Sequence, residues 1–77
     1  MENRIRQILA TQCGKVDILR KEDEFGRELL INTDCYFLAG FAAEDLLQLA
    51  RQNNMSCMFG VPDINNPHIE IRFFTFA

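Results

Sequence analysis

His68-Ile-Glu-Ile-Arg-Phe-Phe-Thr-Phe-Ala77 decides how this chain is read. Ile69, Ile71 and Phe73 alternate with His68, Glu70 and Arg72, the two-residue period of a strand that is apolar on one face. Phe74 and Phe76 then fall on the charged side and break the alternation. A strand that ends apolar on both faces asks for cover on both. In a chain of 77 residues, the second layer of cover is expected to come from another molecule.

Upstream of this strand, Pro62-Asp-Ile-Asn-Asn-Pro67 reads as a turn closed by prolines, and residues 55 to 61 as the strand that enters it. Residues 41 to 53 read as a helix with Leu46, Leu49 and Ala50 on its buried stripe. Glu44 and Asp45 are placed in its first turn, Arg51 in its last, and Asn53-Asn54 at its end. Further back, Val16, Ile18 and Leu19 are separated from Leu29, Leu30 and Ile31 by Glu22-Asp-Glu-Phe-Gly26. That composition predicts a hairpin in which Gly26 supplies a positive φ. The second strand is expected to run on through Thr33, Cys35 and Phe37. Residues 3 to 13 predict an opening helix, capped by Asn3, striped by Ile5, Ile8, Leu9 and Cys13, and stopped by a left-handed Gly14.

The order is helix, hairpin, helix, hairpin. The expected fold is α+β, αββαββ, with a four-stranded antiparallel sheet and both helices packed on one face. The chain reads as one domain over residues 1–77. A shift of 40 residues places Leu9 on Leu49, Ala10 on Ala50, Gln12 on Gln52, Asp23 on Asp63 and Ile31 on Ile71. This suggests a pseudo-repeat of residues 1–38 and 39–77.

Turn positions give approximate cross-strand partners. The first hairpin sets Ile18 against Ile31 and Val16 against Thr33, so Val16, Ile18, Leu29, Ile31 and Phe37 are expected to face the helices. The same rule applied to the second hairpin sets Ser56 against Phe73, Met58 against Ile71 and Gly60 against Ile69. The opposite face then collects Phe59, Val61, His68, Glu70, Arg72, Phe74 and Phe76, in the company of Leu19, Leu30 and Tyr36. Apolar anchors among charges are the anatomy of a protein-binding surface, and these seven residues are the expected partner-binding site.

Composition narrows the classes. A hydrophobic fraction of 48% and a charged fraction of 25% are those of a globular domain. A domain this size buries only about 60% of its unfolded surface. The formal charge of −3 comes without a basic block, so nucleic-acid binding through Arg4, Arg6, Lys15, Arg20, Lys21 and Arg27 is a minor alternative. No apolar run resembles a signal peptide or a membrane span, which makes cytoplasmic the expected location.

Cys13, Cys35 and Cys57 lack the short-spaced pairing of zinc sites, so no metal is expected and the thiols read as reduced and packed. No glycine-rich phosphate loop and no catalytic triad is spelled out, and no cofactor is expected. A cysteine enzyme using His68 as base is the rival from another class. The preferred expectation is a non-enzymatic interaction module, a regulator or inhibitor bound to a larger assembly or to a second copy of itself.

Overall fold

A computed structural model describes residues 1–75. The elements follow in the expected order: α1 Glu2–Leu9, β1 Val16–Asp23, β2 Gly26–Thr33, α2 Gly40–Gln52, β3 Ser56–Gly60 and β4 Glu70–Phe74. The strands form one antiparallel sheet in the order β1-β2-β4-β3, so the two hairpins meet along a central β2–β4 seam. Helix α1 packs on β1 and on α2, and α2 packs on β3.

Helix α1 buries Ile5, Ile8 and Leu9 and ends earlier than its stripe implies. Met1 holds the N-cap position, so Asn3 lies inside the helix, and the Met1 carbonyl accepts from the Arg4 and Ile5 N–H groups. After Leu9 the chain turns, with the Gln12 and Cys13 N–H groups both donating to the Leu9 carbonyl. Gly14 is not left-handed. Its role is close approach: its N–H donates to Asp34 Oδ1 at 2.9 Å, and a Cβ there would lie 2.9 Å from Asp34 Oδ2.

Helix α2 begins at Gly40 and buries Ala42, Leu46, Leu49 and Ala50. Starting there puts Glu44 and Asp45 beyond its first turn, while Arg51 keeps its place near the C-terminal dipole. Asn53 donates from Nδ2 to the Leu49 carbonyl, and Asn54 adopts φ 55° as the chain leaves the helix.

The first hairpin has the expected register, Ile18 opposite Ile31 and Val16 opposite Thr33. Its turn is Glu24-Phe25, tightened by the Phe25 N–H donating to Asp23 Oδ1 at 2.8 Å and by Gly26 at φ 144°. Strand β2 stops at Thr33 instead of continuing to Phe37. The Thr33 hydroxyl donates to the Ile69 carbonyl and receives the Cys35 N–H, and Asp34 turns back to Gly14. Phe37 is consequently exposed and belongs to a loop, not to the core face.

The second hairpin departs from expectation by one residue. Phe59 pairs with Ile71, Cys57 with Phe73 and Met58 with Arg72. The connection over residues 61–69 is not a tight turn. Asp63 closes a local turn by accepting from the Asn65 and Asn66 N–H groups, and the prolines at 62 and 67 have no N–H to give a ladder. A slip of one residue exchanges every side chain between faces. Phe59 and Cys57 therefore lie on the helix side, and Ser56, Met58 and Gly60 on the other.

With this register the helix side of the sheet carries continuous apolar rows. Ile18, Ile31, Ile71 and Phe59 form one across all four strands, and Leu29, Phe73 and Cys57 occupy most of the next. Ile5, Leu9, Ile31, Leu46, Ile71 and Phe73 are the largest fully buried side chains, so the core lies between the seam and the two helices.

Candidate functional site

The face of the sheet turned away from the helices carries a row made by the same pairings: Leu19, Leu30, Arg72 and Met58, one from each strand. Beside it run Lys21, Glu28, Phe74 and Ser56. Leu19 is 61% exposed and Met58 56%, while Leu30 and Phe74 are half-buried among their neighbours. Arg72 sits between two acids, with Nε 3.6 Å from Glu28 Oε1 and Nη2 3.7 Å from Glu70 Oε1. Ion pairs this long and this exposed contribute about 0–1 kcal/mol, so they orient Arg72 without committing it.

At the turn end of the first hairpin, the surface sinks into an open depression of ≈ 490 Å³ lined by Lys21, Phe25, Glu28, Met58, Arg72 and Phe74. Phe25 stands at its rim with 74% of its surface exposed. The arrangement combines apolar contact area, a guanidinium and flanking carboxylates. Among the described residues that line it, no nucleophile is paired with a base.

The expected site residues separate in space. Glu70, Arg72 and Phe74 lie together on this face. Phe59 does not join them; it stands behind the sheet, in register with Ile71. Val61 and His68 belong to the connection between β3 and β4, outside the ladder. His68 lies against Tyr36, with ring centroids 5.2 Å apart, so Tyr36 belongs with this loop and not with Leu19 and Leu30. Phe76 lies outside the described residues.

Met58, Phe25 and Glu28 belong to the surface although the expected partner-binding set did not include them. Glu28 follows from the first hairpin's register, whereas Met58 becomes visible only once the one-residue offset is known.

The cysteines correct the thiol expectation. Cys13 and Cys35 are joined in a disulfide, their Cα atoms 5.4 Å apart and their positions separated by 22 residues. The turn after α1 is what carries Cys13 to the end of β2. Cys57 is the remaining cysteine, and burial pushes its thiol up from 9.0 to about 11. A thiol held protonated at neutral pH is a poor nucleophile.

The basic side chains are divided between surfaces, and the three that line the depression, Lys21, Arg27 and Arg72, share it with Asp23 and Glu28. Arg6 donates to the Val16 carbonyl, Arg20 donates to Glu2 on the helix side, and Lys21 points to the opposite face. Among the described residues, no helix is long and apolar enough to cross a membrane.

No protein-family model, curated protein or solved structure matches this chain. The functional reading therefore rests on the residues of the open face.

Proposed function

We propose that this chain is a small non-enzymatic interaction module, a regulator or inhibitor that docks on a larger protein through the open face of its sheet. The observation that carries this reading is the row Leu19, Leu30, Arg72 and Met58, flanked by Phe74 and Phe25 on the side that the helices leave uncovered. Exposed aromatic and aliphatic anchors around an arginine, rimmed by charges, are the composition of interface centres. A different protein fits this face better than a second copy does. A two-fold axis through the middle of the face would set Arg72 against its own image, a like-charge contact at the centre. The complementary partner presents an apolar strip with a carboxylate opposite Arg72.

The test uses Leu19→Glu and Met58→Glu, with Arg4→Glu on the outer side of α1 as control. These are exposed positions, so each variant is expected to unfold within about 0.5 kcal/mol of the parent. The parent and the control are expected to retain the same partner from an extract of the native host, and both sheet variants to lose it. Retention by both sheet variants would remove the open face as the site. A concentration-dependent dimer in sedimentation, dissolved by the same substitutions, would make the partner a second copy.

The expected cytoplasmic location is retained within this proposal, and it has a chemical consequence. Reducing compartments keep such cysteine pairs as dithiols. In the cytoplasm Cys13 and Cys35 would therefore work in their reduced form.

A further inference from the structure

Along the chain Cys13 and Cys35 lie 22 residues apart, but the fold brings their two segments together. The turn after α1 delivers Cys13, and the residues following β2 deliver Asp34 and Cys35. One donor atom from each, two sulfurs and a carboxylate oxygen, all lie within 4.8 Å of one another. We infer that the reduced chain binds a thiophilic divalent cation, zinc being the type case, through Cys13 Sγ, Cys35 Sγ and the Asp34 carboxylate.

Three features of the local structure support a built site. First, Asp34 is aimed. Its Oδ1 accepts the Gly14 N–H at 2.9 Å, which fixes the carboxylate over the cysteine pair and leaves Oδ2 beside the Gly14 Cα, where a larger residue would collide with it. Second, the segment that carries two of the three donors is held: the Cys35 N–H donates to the Thr33 hydroxyl, which in turn donates to the Ile69 carbonyl. Third, access is graded. Cys35 is buried at 6% exposure and Cys13 is half-buried, while Asp34 opens to solvent and gives an ion its way in.

The donor set determines the class of ion. Two thiolates select soft and borderline metals and disfavour magnesium and calcium, which require oxygen. Three protein ligands with water in the fourth position is a recognised tetrahedral zinc arrangement.

A dithiol gives two electrons and its two thiol protons to the Cys13–Cys35 bond and becomes a disulfide; a phosphine gives the two electrons and becomes a phosphine oxide, with water supplying its oxygen and the two protons that the released sulfurs take up as thiols. Metal binding then displaces both protons to solvent. Disulfide and metal site are thus alternative states of the same pair of sulfurs.

The test uses the full chain reduced anaerobically with a phosphine and titrated with Co²⁺, then with Zn²⁺ in competition with a chromophoric chelator. The expected result is one ion per chain, with a sulfur-to-cobalt charge-transfer band and tetrahedral ligand-field bands that Zn²⁺ abolishes. Cys13→Ser and Cys35→Ser are expected to remove the charge-transfer signature of a two-thiolate site, and Cys57→Ser to leave it intact. Asp34→Asn should weaken Zn²⁺ by more than the roughly 10–100-fold that loss of an outer-shell partner costs.

Binding by the oxidised chain, binding unchanged in Cys35→Ser or Asp34→Asn, or no binding by the folded reduced chain would each overturn the assignment. If reduction alone unfolds the chain, added Zn²⁺ is expected to restore its circular dichroism, and failure to do so would equally overturn it.

Discussion

Cys57 shows how one position on the sheet sets the chemistry of a side chain. It lies opposite Phe73 on the helix side of β3, where loss of water raises its thiol from 9.0 to about 11. In the unfolded chain the same thiol ionises near 9.0, so between these values the folded state holds a proton that the unfolded state has released. Stability from this group is therefore complete below about pH 9 and is lost as pH rises towards 11. Urea unfolding across this alkaline window is expected to show a decline in the parent that Cys57→Ala flattens. An identical slope in both proteins would mean that Cys57 does not carry it. On the same argument, iodoacetamide modifies Cys57 slowly in the native protein at neutral pH and much faster in urea.

At the scale of elements, strand β3 decides which side chains meet a partner. Its register places Phe59 with Ile71 on the helix side of the sheet and Met58 with Arg72 on the other. Phe59→Ala is thus expected to cost about 1–2 kcal/mol, less than a fully buried phenylalanine because 39% of its surface is exposed. Met58→Ala is expected to cost less than about 0.5 kcal/mol. Urea denaturation of the two variants checks this, and the reverse order would restore the alternative register. The first hairpin was legible because Asp23, Glu24, Phe25 and Gly26 specify a two-residue turn, and such a turn fixes pairing along the whole of β1 and β2. The second was legible as an element but not in register, because residues 61–69 form a long connection whose length no single turn dictates. That one difference moved Phe59 off the candidate surface and brought Met58 onto it. The elements' order followed from alternation and helical spacing. The Cys13–Cys35 bond did not, since it depends on where the turn after α1 points.

For the whole molecule, the disulfide and the central seam both tie distant segments together. The bond closes a 22-residue separation in a domain too small for a large core. In the chain-entropy picture this adds about 3 kcal/mol to stability. Cys13→Ser with Cys35→Ser is expected to lower the thermal midpoint by an amount close to that of chemical reduction, under metal-free conditions. Equal midpoints for the oxidised parent and the double variant would show that the bond adds nothing. Across the seam, Ile31 and Ile71, which the 40-residue shift superposes, are direct partners on β2 and β4.

The order β1-β2-β4-β3 also imposes a timetable on folding. Hairpin β1–β2 closes a two-residue turn and can form within about 1–10 μs, using only its own residues. The seam cannot, because β2 must wait for a strand that begins at Glu70, with α2 and β3 intervening along the chain. During synthesis, Leu29 and Ile31 stay without their cross-seam partners until Ile71 and Phe73 have left the ribosome. Over that interval the nascent chain leaves one edge of β2 unpaired, and it becomes safe from mispairing only when β4 arrives in the middle of the sheet.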